Sequence, residues 1–160
     1  MKFLHLYESF TEEQRLNGID ISLICDVFAD IMDQSMKVWV WQFPLNGKVK
    51  WGPQEINSGL TYTDCDRIKK LVYNKEYWFD IDAEMSRNDD ISETKTRERL
   101  IEVGNKVLGY DWDSISGRLR DIGLTVDKIE RRVTKRVSFS GGSITTEIKT
   151  GSIRIICRTI

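Results

Sequence analysis

Histidine, proline and cysteine are all scarce in this chain of 160 residues, which holds one histidine, two prolines and three cysteines. With His5 alone, a Ser-His-Asp or Cys-His mechanism has one ring to draw on, and a multi-histidine metal site has too few. His5 also falls in the alternating run Phe3, Leu4, His5, Leu6, Tyr7, where a strand histidine among core residues is the ordinary reading. Cys25, Cys65 and Cys157 lack any C-x-x-C spacing, which excludes a zinc ribbon or a redox pair and fits inert thiols in a reducing, cytoplasmic compartment. Neither G-x-x-x-x-G-K-[ST] nor G-x-G-x-x-G occurs, so nucleotide chemistry has no motif and no cofactor is expected. The longest uninterrupted apolar run, Val38 to Trp41, falls far short of the roughly 20 residues that cross a bilayer, so no transmembrane segment or signal peptide is expected.

What is present describes a globular chain: 40% hydrophobic and 31% charged residues, with little room for a long linker. The length predicts a single α+β domain over 1–160. Ile21, Ile24, Val27, Phe28, Ile31 and Met32 recur at helical spacing, with Asp26, Asp30 and Asp33 opposite, although Ile19, Ile21 and Leu23 also alternate as a strand would. Met36, Val38 and Val40 alternate with Lys37, Trp39 and Trp41; Asn46-Gly47 then predicts a hairpin leading into Lys48 to Trp51. A helix is expected from Thr63 to Asn74 and a half-buried strand from Glu76 to Met85. Asp90 and Glu93 form a capping-box pattern for a helix that Gly109 would end as a left-handed C′ residue.

From Ile115 the apolar residues Leu119, Ile122, Val126, Ile129 and Val133 continue at spacings of three and four, which predicts one long helix or two short ones broken at Gly123. After Val137 the period changes to two. Val137 and Phe139, a Gly141-Gly142 turn, then Ile144, Thr146 and Ile148 predict a hairpin; Thr150, Gly151 and Ser152 predict another turn before a last strand. The fold class expected is α+β, with a mainly antiparallel sheet and helices packed on one face or end.

The near-zero net charge conceals two unlike halves. Residues 1–90 hold 10 Lys and Arg against 16 Asp and Glu, whereas 91–160 hold 14 against 9. Lys128, Arg131, Arg132, Lys135 and Arg136 crowd into nine residues, with Arg118 and Arg120 just upstream, and predict a positive patch. Such a patch would contact nucleic acid or a ribonucleoprotein through phosphate neutralisation. A helix over 125–136 followed by a hairpin would suit a winged helix-turn-helix. It would otherwise direct self-association; the bland alternative is a solvated face, paired with the acidic half of the same molecule or of a second copy. Trp39, Trp41 and Trp51 would stack on bases or a protein partner if exposed, and fill the core if not.

Three further readings stand beside these. Asp80, Asp82 and Glu84 share a strand face and Glu147-Ile148-Lys149 has the E-x-K order of metal-dependent nucleases, but no convincing strand supplies the upstream aspartate. The acidic, tryptophan-bearing first half is similar in composition to small inhibitor or immunity proteins, which implies a basic protein target. The run Ile122-Gly123-Leu124-Thr125-Val126-Asp127-Lys128 resembles the late segment of rhabdovirus-type matrix proteins, which implies a structural role. The reading that the residues favour is a non-enzymatic protein acting through macromolecular contacts.

Overall fold

The structure is a computed structural model and describes residues 15–16, 19–43, 53–73, 76–85, 91 and 93–159. The expected strand around His5, the Asn46-Gly47 turn, Trp51 and Asp90 lie outside the described residues. Two short strands, β1 (Arg15–Leu16) and β2 (Ile19–Asp20), pair antiparallel and lead into helix α1 (Ile21–Met32). Strands β3 (Met36–Gln42) and β4 (Gln54–Ile56), helix α2 (Tyr62–Tyr73) and strand β5 (Glu76–Ala83) follow. Helices α3 (Thr94–Gly109) and α4 (Trp112–Asp121) then precede two long strands, β6 (Leu124–Ser140) and β7 (Ser143–Thr159).

Among the described residues the architecture is α+β: four helices pack against a five-stranded antiparallel sheet of order β4-β3-β5-β7-β6. Alternation explains the layering. Val38, Val40, Phe79, Ile81, Ile153, Ile155 and Cys157 share one sheet face by register and are fully buried against the helices. The helices answer with Ile24, Phe28 and Ile31 of α1, Ile68, Leu71 and Val72 of α2, Leu100 and Val107 of α3, and Leu119 of α4. Helix α2 starts on a capping box, with Thr61 Oγ1 accepting from the Asp64 amide at 3.2 Å and Asp64 Oδ2 accepting from the Thr61 amide at 2.9 Å.

Several local expectations are corrected. Residues 124–140 form a strand rather than the expected basic helix over 125–136, so no helix-turn-helix is built there. The helical spacing of Val126, Ile129 and Val133 has a specific origin. Asp127 is skipped in the pairing of β6 with β7, a β-bulge that shifts strand parity by one, so inward residues read 126 then 129 and mimic a helical step. The β-branched residues Thr125, Val126, Ile129, Val133, Thr134 and Val137 then favour the pleated backbone. Thr150-Gly151-Ser152 is not a turn but the middle of β7. Gly109 is the last residue of α3, not a left-handed cap, and Glu93 at its N-cap makes no side-chain capping bond.

Candidate interaction surface

Pairing between β5 and β7 stops at Ile81↔Ile153, whereas β6 and β7 continue together to the turn at Gly141-Gly142, both glycines at positive φ as a two-residue hairpin turn requires. Beyond Ile153, among the described residues, the two strands therefore pair only with each other within the sheet and form a ribbon arm. Its faces differ. Arg136 and Ile148 are register partners on one face; Ile148 is buried, and Arg136 donates to the carbonyl of Ala83 at 2.9 Å and pairs with Asp82 at 3.1 Å. Thr150, on the same face by parity, donates to the Leu100 carbonyl of α3 at 2.8 Å. These contacts seat the arm on the body.

The opposite face carries Arg131, Val133, Lys135, Val137 and Phe139 of β6 and Ile144, Glu147 and Lys149 of β7. Val133, Phe139 and Ile144 are 69%, 66% and 56% exposed, although each is apolar. Lys135 stands directly across from Lys149 and reaches diagonally to Glu147 at 2.9 Å. Arg131 and Lys149 are exposed and make no ion pair or side-chain hydrogen bond among the described residues. Cations and isolated apolar side chains thus share one solvent-turned surface.

The expected cationic residues do not form one patch. Alternation sends Lys128, Arg132 and Arg136 to one side of β6 and Arg131 and Lys135 to the other. Lys128 pairs with Glu130 at 2.9 Å and Arg132 approaches Asp80 at 3.7 Å. On α4, Arg118 donates to the Asp26 carbonyl at 3.0 Å and lies 4.0 Å from Asp30, and Arg120 reaches the Val126 carbonyl at 3.5 Å. Of the seven, Arg131 alone has neither an acidic nor a carbonyl partner among the described residues, while Lys149, Phe139 and Ile144 join it. Sequence reading missed Lys149 and the exposed apolar trio: it placed Val133 in a helical core stripe and put Phe139 and Ile144 in a hairpin without a solvent face; the lack of charge from Val137 to Thr146 was the available signal.

The other sheet face holds an aromatic and ionic layer. Trp41 and Trp78 stack with centroids 6.1 Å apart, Phe43 meets Trp78 edge-on at 4.8 Å, and the Arg154 guanidinium lies 4.4 Å from the Trp78 ring. Asp80 organises the layer: it takes a bidentate pair from Arg154 at 2.8 and 3.0 Å and a hydrogen bond from Trp78 Nε1 at 3.1 Å. Trp39 and Trp41 are half-buried and Trp78 is buried. These three tryptophans therefore serve internal packing to a large extent.

Burial pushes the Asp82 carboxyl above its ordinary pKa, Arg136 pulls it down, and the neighbouring Asp80 pushes it up again. Because the unfolded chain ionises this group at lower pH, ionised Asp82 disfavours the fold above its folded pKa, and that penalty is relieved as pH falls through it. The wild-type protein should therefore gain stability relative to Asp82→Asn on moving from neutral pH to about pH 4. Urea midpoints of both proteins at the two pH values check this; a difference moving the other way contradicts it.

Among the described residues no group of three or more His, Cys, Asp or Glu side chains is placed to hold a metal ion. Glu147 lies on the arm beside Lys135, remote in register from Asp80 and Asp82, whose carboxylates face arginines. Burial pushes the Cys157 thiol up to about 12, which keeps it protonated and unreactive, whereas Cys25 and Cys65 are half-buried in a groove between α1 and α2. No described helix is long and apolar enough to cross a membrane. No family model, curated protein or solved structure matches this chain.

Proposed function

We propose that this protein is a non-enzymatic binding module that grips a polyanion, nucleic acid or a ribonucleoprotein, through the solvent-turned face of the β6–β7 arm. The observation that carries this reading is the charge of the arm: from Arg131 to Lys149 there are five cations against one carboxylate. The body engages Arg132 and Arg136 through Asp80 and Asp82, and Lys135 shares Glu147. Arg131 and Lys149 remain for phosphate, with Lys135 directly across from Lys149 in the strand pairing. Ser and Thr hydroxyls near the tip of the ribbon supply neutral phosphate donors.

The acidic-inhibitor, matrix-type and nuclease readings have less behind them. Asp26 and Asp30 on α1 and Asp33 just past its end are exposed, yet Arg118 already lies beside Asp30. Retardation of a labelled single-stranded oligonucleotide at low salt tests the reading. Wild-type protein should bind, and Arg131→Glu with Lys149→Glu should weaken binding by about tenfold or more, since each phosphate contact contributes through counterion release. No retardation by the wild-type protein would overturn it.

A further inference from the structure

The arm's apolar residues are not explained by phosphate binding, and elsewhere the molecule has a surface that matches them. Between α1 and α2 lies a groove of about 350 Å³, within the range of pockets that bury small ligands or side chains. Most of its lining is apolar, from Ile21, Cys25, Ala29, Met32 and Leu60, with neutral polar side chains beside them, and Asp26 is its one charged lining residue. Asp30, exposed on α1, and Asp33, exposed just past its end, add further negative charge near it. The arm presents the complement: Phe139 and Ile144, directly paired across the strands, with Arg131, Lys135 and Lys149 behind them on the same face.

We infer that the arm of one molecule docks into the α1–α2 groove of a second copy. Phe139 and Ile144 enter the apolar lining, and the cations meet Asp26 and the carboxylates near it. Exposed apolar residues gathered on one charged face mark interaction sites, and complementary charge selects the partner and its orientation. The opposing solution, two-fold pairing of β6 along its free edge, is disfavoured by the same sequence. An antiparallel pairing centred on Val133 and Thr134 would set Arg131 and Arg132 against Arg136 and Lys135 of the second copy, and like charges directly opposite destabilise strand pairing. Arm-to-groove contact instead joins two different patches, so it closes as a dimer only by reciprocal exchange and otherwise extends into rings or chains. The same arm face serves this contact and the polyanion, so the two should compete.

Sedimentation velocity of the full chain over a range of concentrations tests the inference. Wild-type protein should form species larger than a monomer, with an association constant that falls as salt rises. Phe139→Ser with Ile144→Ser should lower that constant by about tenfold or more, as expected for the centre of an interface, and Asp26→Lys with Asp33→Lys should do the same from the other side. All four positions are exposed, and circular dichroism confirms that each variant keeps the fold. The deciding sample is the mixture: each double variant alone stays monomeric, but one retains an intact groove and the other an intact arm, so mixing them should restore a dimer. Oligonucleotide should dissociate the wild-type assembly. A wild-type monomer at every concentration, an assembly indifferent to both double variants, or a mixture that stays monomeric would overturn the inference. The serine variants keep all the arm's cations and should still retard oligonucleotide, so loss of polyanion binding and loss of self-association are read separately.

Discussion

Replacing Gly104 by alanine is expected to destabilise the fold by about 3 kcal/mol, the upper part of the usual range for overpacking a core. Helix α3 crosses β7 with backbone almost against backbone. A Cβ at position 104 would overlap Thr150 Oγ1 and stand 2.8 Å from the Gly151 amide nitrogen; one at position 151 would stand 2.6 Å from the Gly104 carbonyl oxygen and 2.5 Å from Leu108 Cγ. Neither obstacle is the free end of a flexible side chain. Moving Thr150 would also break its 2.8 Å bond to the Leu100 carbonyl, a buried link between helix and strand. A Cβ at Gly117 within α4 meets nothing within 4 Å, so Gly117→Ala should gain up to about 1 kcal/mol from helix propensity. For a chain of this size the Gly104→Ala loss lowers Tm by roughly 6 to 12 °C. Thermal melting of the two variants checks both signs, and a wild-type Tm for Gly104→Ala would contradict the close crossing.

Asp80→Ala is expected to cost about 3 kcal/mol, because removing one member of a largely buried ion pair leaves the other charge without a partner. Arg154 would lose both oxygens of its bidentate pair, Trp78 Nε1 its acceptor and Arg132 its nearest carboxylate. Asp80→Asn keeps the shape and one acceptor and should lose less. The side chains of Asp80 and Arg154 are 20% and 23% exposed, which limits the relief that water offers to either alone. A double-mutant cycle with Arg154→Ala should show the second substitution adding little to the first. Freed from its packing, Trp78 should emit at longer wavelength. Additive losses in the cycle would contradict the role given to Asp80.

Where one periodicity ruled, the sequence was legible. Helix α1 buries Ile21, Ile24, Val27, Phe28 and Ile31 as their spacing predicts, and β5 alternates Tyr77, Phe79, Ile81 and Ala83 inward. Failure came where a local device altered the count. The bulge at Asp127 turned a strand's period of two into an apparent helical step, which hid β6, with β7 one of the two longest described elements, inside an imagined basic helix. Gly151 read as a turn residue, though it is needed for the close passage of α3, a long-range contact that no local window contains. The cationic cluster was visible as composition, but its division between two faces of β6 depended on knowing that it was a strand. Pairings such as Arg136 with Asp82 and Arg154 with Asp80 join residues more than fifty positions apart and follow only from sheet order.

The salt dependence of oligonucleotide binding, measured by fluorescence anisotropy from low to moderate ionic strength, tests most directly whether the arm is a phosphate-binding element. With Arg131, Lys135 and Lys149 each neutralising one phosphate of a single strand, the logarithm of the binding constant should fall against the logarithm of salt with a slope of about −2. Arg131→Glu with Lys149→Glu should flatten that slope to less than half. A wild-type slope near zero, or one that the two reversals leave unchanged, would contradict the account.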